Sequence, residues 1–247
     1  MRYCGLGYED KMLFIRSLLF TSFLILDTFL TCFFGLFLLP FPSRYAVKNA
    51  HFWSKRIILG ARYILGLKLI IKGAELLPKD GGYIIACKHQ SAFDTTIFHS
   101  FIPEPIMIFK KELTYVPLIR QQLLKTGCIP VDRKGGTTAM RAMFAEAKEK
   151  LSSGKSIVIF PEGTRTAPGT TTVYNPGVAL LYEKCNVPVF PAAINSGYFW
   201  PRNSFTKKPG TVVLEIMPAL PAGLGKKEFL AELQNDIETT MKTLPTS

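Results

Sequence analysis

The chain's 247 residues, 48% of them hydrophobic and 19% charged, suit one α/β domain with an appendage and can bury a sizeable core. A formal net charge of +12 points to an anionic partner: nucleic acid, an anionic membrane surface or an acidic protein. The five cysteines (Cys4, Cys32, Cys87, Cys128, Cys185) are scattered and lack a Cys-x-x-Cys pair, which argues against a disulfide framework or zinc site and for a reducing compartment.

Ser17 to Leu39 is 23 residues with one charge, Asp27. As a helix it would be roughly 35 Å long, enough to cross a bilayer's hydrocarbon core. Fifteen of these residues are Leu, Ile or Phe. At roughly −0.5 kcal/mol each they favour insertion by about 7 kcal/mol, against about +3 kcal/mol for a mid-helix Asp. Pro40-Phe41-Pro42 breaks the run. Between Arg44 and Lys72 there are seven basic residues and no acidic one. On a helical wheel Lys48, His51, Lys55 and Arg62 share one face, and Trp53, Ile57, Gly60 and Ile64 the opposite one. That pattern predicts a helix lying in a membrane interface with its cations toward headgroups. Residues 1–72 carry +7 of the net charge, so a membrane surface is preferred to nucleic acid as the anionic partner. The positive-inside rule then places the remainder of the chain on the cytoplasmic face of the cell membrane. The chain thus divides into membrane-anchoring helices at 1–72 (apolar 17–39, basic amphipathic 44–66) and a second domain at 73–247.

From there short apolar runs alternate with helical patterns. Strands are expected at Lys68–Ile71, Tyr83–Cys87, Ile106–Phe109, Cys128–Val131, Ser156–Phe160, Val187–Ala193 and Thr211–Met217. Helices are expected near Thr95–Ser100, Val116–Lys125, Thr137–Ser152, Gly177–Lys184 and Lys226–Lys242. The alternation predicts an α/β fold, a mixed sheet covered by helices and preceded by a membrane-associated helical pair, with ligands at the carboxyl ends of its strands.

One stretch organises this domain: His89-Gln90-Ser91-Ala92-Phe93-Asp94. A five-residue offset sets two side chains about 140° apart on a helix. On a strand it sends them to opposite faces. His89 and Asp94 can pair only across a turn, which a strand ending at Cys87 and a helix starting near Asp94 would supply. The carboxylate could then hold one ring nitrogen and leave the other free as a base. The spacing alone is weak, because His99 also has a carboxylate five residues on, Glu104. Three further clusters follow strands: Gly127–Arg133, Phe160–Arg165 (FPEGTR) and Val187–Pro191 (VPVFP). Singly each has a bland reading, such as a surface ion pair, a loop salt bridge or prolines marking an edge strand.

In this order the four clusters, with Lys110-Lys111-Glu112-Leu113, resemble the glycerolipid acyltransferase (HxxxxD) family, and specifically its lysophosphatidate-acylating branch; the likeness covers about residues 75–220. The resemblance implies transfer of a fatty acyl group from acyl-CoA or acyl-carrier-protein to the free hydroxyl of lysophosphatidate, making phosphatidate. His89 would act as base and Asp94 as its orienter. Arg165, Lys110 or Lys111 and Arg133 would hold the acceptor's phosphate. Glu162 matches a site residue of the family's third motif, as ligand contact or as orienter of Arg165. Backbone N–H groups around Glu162-Gly163-Thr164 are candidate oxyanion donors. Beyond the donor substrate no cofactor is implied, and no cluster has metal-ligand spacing. The expected partners are membrane lipids, the lysophospholipid and the acyl donor, with no nucleic acid. Cys87, two residues before His89 on the strand, is expected to pack rather than react. One departure stands out: many members carry a lysine where this chain has Asn175. Acylation of another lysolipid, such as a lyso-ornithine lipid, is therefore the near alternative, and a catalytically silent membrane lipid-binding protein the distant one.

Overall fold

The computed structural model describes residues 7–132 and 134–247, so Cys4 and Arg133 lie outside the described residues. In chain order the elements are α1 (Tyr8–Gly35), α2 (Ser43–Gly60), β1 (Leu67–Lys72), β2 (Ile84–Cys87), α3 (Phe93–Phe101), β3 (Pro105–Lys110), α4 (Ile119–Lys125), β4 (Ile129–Val131), α5 (Gly136–Ser152), β5 (Ser156–Ile159), α6 (Gly177–Cys185), β6 (Val189–Ile194), β7 (Gly210–Ile216) and α7 (Lys226–Met241). The strands form one sheet in the order β1-β7-β6-β2-β5-β3-β4. Every neighbouring pair is parallel except β6 and β7, so the sheet is mixed, as the alternating pattern predicts.

Residues of β2 alternate between two cores, which is why its whole run is apolar. Ile85 and Cys87 join Phe20, Ile57, Phe93, Ile97 and Phe98 on the face covered by α1, α2 and α3. Ile84 and Ala86 join Met143, Leu151, Val178, Phe229 and Leu233 on the face covered by α5, α6 and α7. Burying both faces puts the polar ends of β2, β5, β3 and β4 in one row along the sheet's carboxyl edge. The prolines of Val187–Pro191 do not mark an edge: β6 lies between β2 and β7, with Pro191 opposite Ala86.

The N-terminal helices depart from expectation in two ways. α1 starts at Tyr8, well before Ser17, with Glu9 and Asp10 in its first turn where the helix dipole favours acids. It stays attached to the body: Ser17, Phe20, Thr31, Cys32 and Gly35 are buried, and Asp27 pairs with Arg56 of α2 at 2.7 Å. The apolar face of α2 meets protein rather than lipid. Ile57 is wholly buried, the Trp53 indole donates to Thr28 at 3.0 Å, and Ser54 donates to the carbonyl of Thr96 at 2.6 Å. The cause is that α1 and α3 both pack against α2, with Thr28 and Phe23 of α1 at Trp53 and Gly60, and α3 links the helical pair to the turn between β2 and α3. What α1 and α2 leave outward is a helical stripe of Ile15, Leu18, Leu19, Ile25, Leu26, Phe29, Leu30, Phe33 and Phe34, beside Phe52, Leu59 and Tyr63. β1 is the sheet's edge strand, so the sheet begins at Leu67.

Candidate active site

At the end of β2 the chain turns sharply into α3, and the turn is closed by Asp94. Its Oδ2 accepts the backbone N–H of Gln90 at 2.8 Å and of Ser91 at 2.9 Å. The same oxygen lies 2.9 Å from His89 Nδ1. Its Oδ1 accepts from Ser196 Oγ, just beyond β6. Every neighbour of this fully buried carboxylate is a donor, so the ring must present Nδ1–H to it. In the neutral ring that leaves the lone pair on Nε2. The ring also stacks on Phe160, with centroids 3.9 Å apart and planes at 16°, which fixes its tilt. His89 lines a cleft of about 300 Å³ whose walls include Ile108, Val131, Met140, Met143, Ile159 and Val178. A lone-pair nitrogen in a largely apolar cleft, backed by a buried carboxylate, is equipped to take a proton from a weak acid.

Glu162, Gly163 and Thr164 line the same cleft. Gly163 closes a turn, its N–H donating to the Phe160 carbonyl at 2.9 Å with φ at +68°, a conformation suited to glycine. That N–H is spent inside the turn. Among the described residues no acceptor is bonded to the N–H groups of Glu162 and Thr164. The Glu162 carboxylate is also committed internally: Oε2 accepts the His89 backbone N–H at 2.8 Å, and Oε1 bonds Lys88 Nζ at 2.8 Å and Thr166 Oγ1 at 2.9 Å. It orients Lys88, His89 and Thr166 rather than Arg165.

The expected cations sit on the rim. Lys110 ends β3 and pairs with Glu112 at 3.2 Å, and Lys111 pairs with Asp132 at 3.5 Å, all four being well exposed. Asp132 is held below the usual carboxylate range first by the Lys134 backbone N–H, with Lys111 adding to it. Arg165 has no carboxylate within ion-pair distance among the described residues. Arg202 reaches its carbonyl at 3.0 Å, adding a cation that no motif announces. Asn175 faces the cleft beside Gly163, and its Oδ1 accepts the Gly177 N–H at 2.9 Å at the start of α6. Cys87 is fully buried, and burial, followed by the charges of Asp94 and Glu162, pushes its thiol well up, so it packs.

The second His–carboxylate pair does not form. Glu104 pairs with Lys155 at 3.1 Å, while burial and then the nearby His51 hold His99 down at about 4.

The acyltransferase family's sequence model matches residues 68–195. The chain is 32% identical over 229 residues to the 1-acyl-sn-glycerol-3-phosphate acyltransferase of Pseudomonas aeruginosa, covering 91% of this chain and 88% of that one. It is 29% identical over 160 residues to the enzyme of the same name from Borreliella burgdorferi, 64% of each chain. The crystal structure of the 1-acyl-sn-glycerophosphate acyltransferase of Thermotoga maritima superposes with a TM-score of 0.78 at 26% identity, over 93% of this chain and 96% of that one.

His99 generates a pH prediction. The unfolded chain protonates it below about 6.5, whereas the folded chain does so only near 4. Its contribution is complete above pH 6.5 and is lost as pH falls through that window, on the order of 3 kcal/mol at the bottom. Denaturant unfolding in detergent should show that loss in the wild type and a flatter profile in His99→Gln. Equal slopes in the two proteins would refute it.

Proposed function

Because this chain belongs to the acyltransferase family, we propose that it moves a fatty acyl group from a thioester, acyl-CoA or acyl-carrier-protein, to the free hydroxyl of lysophosphatidate, forming phosphatidate. The observation that carries the reading is the His89 ring, which is tied to Asp94 through Nδ1, lines an apolar cleft, and has no hydrogen-bond partner on Nε2 among the described residues.

An alcohol attacks a thioester slowly because it must shed its proton as the bond forms. Nε2 of His89 takes that proton, and Asp94 stabilises the resulting imidazolium. The acceptor's oxygen bonds to the thioester carbon. The N–H groups of Glu162 and Thr164, free within the described residues, suit the developing oxyanion. As the carbon–sulfur bond breaks, the imidazolium returns its proton to the departing thiolate. No protein nucleophile enters, in keeping with the buried Cys87. The apolar cleft wall would take the acyl chain.

For the acceptor's phosphate the reading uses Arg165, Lys110 and Lys111, with Arg133. Lys110–Glu112 and Lys111–Asp132 are exposed ion pairs that water and salt screen, so a phosphate can displace the acid at little cost. Asn175 favours a second reading. Where relatives of this branch have a lysine, this chain offers a neutral amide already bonded to Gly177, which would suit an acceptor without a phosphate monoester, such as a lyso-ornithine lipid.

The test is thiol release from acyl-CoA, with and without each of a panel of lysolipids. Release should depend on lysophosphatidate, fall ~10²–10⁴-fold in His89→Ala, and persist in His99→Ala. Arg165→Ala should raise KM for lysophosphatidate by roughly 10- to 150-fold, the value of a lost charge-assisted hydrogen bond. Turnover of another lysolipid alone would move the assignment to that acceptor. Release that needs no acceptor and survives His89→Ala would end it.

The outward apolar stripe of α1, with Val116 beside it and the lysines, arginines and aromatics on the outward side of α2, supports attachment to the cytoplasmic face of the cell membrane. High salt or carbonate should leave the protein on membranes and detergent should release it. Recovery in the salt-wash supernatant would contradict the attachment.

A further inference from the structure

Immediately before the proposed base lies a lysine that no motif reading marks. Lys88 is 1% exposed, and its three ammonium protons have three acceptors: Glu162 Oε1 at 2.8 Å, Glu238 Oε1 at 2.6 Å and the Thr170 carbonyl at 3.0 Å. Glu238 belongs to α7, about 70 residues beyond the FPEGTR turn, and it is held in turn by Tyr174 and Thr171, whose hydroxyls donate at 3.1 Å each. Glu162 passes the tie onward. Its second oxygen accepts the His89 backbone N–H at 2.8 Å, while the His89 carbonyl accepts from Thr166 at 2.8 Å, and Thr166 itself donates to Glu162. Both polar groups of the His89 backbone are thus bound to the β5 turn, and that turn is bound through Lys88 to α7.

Stability does not account for this arrangement. Burying an ammonium between two carboxylates carries a desolvation cost that its attraction only partly returns, and apolar residues of similar size often serve stability as well or better. What a fully satisfied polar network supplies is one defined geometry. We propose that Lys88 and Glu238 are positioning residues for acyl transfer, which makes α7 part of the apparatus that sets His89 against the substrates. The proposal rests on the acyl-transfer reading of the site.

The experiment uses the full chain in mixed micelles with palmitoyl-CoA and lysophosphatidate, and compares Lys88→Met, Glu238→Gln, the double variant, and Asp236→Asn as a charge control on the same helix. Misplacing a reacting group by about 1 Å can cost roughly 10²-fold. Lys88→Met should lower kcat by about that factor with KM for both substrates within about twofold of wild type, at a temperature where circular dichroism shows it folded. Glu238→Gln should lower kcat by about tenfold. The double variant should be more active than Lys88→Met, because Glu162 no longer faces a second unpaired acid. Asp236→Asn should match the wild type. Wild-type kcat in both single variants would overturn the proposal, as would a fall in kcat that only tracks the unfolded fraction or comes with a matching rise in KM. If Lys88→Met fails to fold, the kcat and KM of Glu238→Gln decide alone. Wild-type protein with no acceptor-dependent release would overturn the acyl-transfer reading itself; release in the wild type with unchanged variants overturns only the positioning role.

Discussion

The site depends on a single buried carboxylate. Asp94 receives two backbone N–H groups, a serine hydroxyl and an imidazole N–H, and it is wholly out of solvent. Burying a charge is tolerable only when its hydrogen-bonding capacity is filled, and here the filling groups come from three places: the turn after β2, the ring of His89 and the end of β6. The interaction that orients the ring is therefore also the one that closes the β2–α3 turn and fastens β6 beside it.

The sheet explains why motifs scattered over a hundred residues meet. β2, β5 and β3 are neighbours running in the same direction, so their carboxyl ends are spaced by about 5 Å each. His89, the Phe160–Glu162 turn and Lys110 fall along that row, with Asp132 one strand further. The apolar cleft opens on the α5–α6 side, while α3 ties the opposite side to α1 and α2. An imidazole flanked by an apolar cleft and by a rim of cations would suit an amphiphile with an anionic head.

Much of this was legible in the sequence, for physical reasons. Strands buried on both faces read as unbroken apolar runs, and each expected strand is found within two residues of its observed ends. His89 and Asp94 could be paired because their offset fits neither a helix nor a strand and so demands a turn. Ser196, Lys88 and Glu238 were not legible. Ser196 lies 102 positions from Asp94, and only the β6–β2 register brings them together. Lys88 reads as a surface residue until two distant acids are folded onto it. Amphipathicity reports that a stripe of α2 is covered, not by what: α1 and α3 cover it where the sequence pattern predicts lipid. Glu162 lines the cleft, but its partners lie behind the β2–α3 turn rather than in front of it.

Acyl transfer at this site requires that Asp94 hold the Nδ1–H tautomer of His89 and leave Nε2 to accept a proton. With three histidines in the chain, ¹⁵N-labelled imidazoles can be assigned by single substitutions of His51 and His99. Nitrogen NMR of the detergent-solubilised protein above the pH at which His89 titrates reports the tautomer directly. Nδ1 of His89 should carry the proton and Nε2 should be bare, with the tautomer preference lost in Asp94→Asn. A proton on Nε2 in the wild type would contradict it.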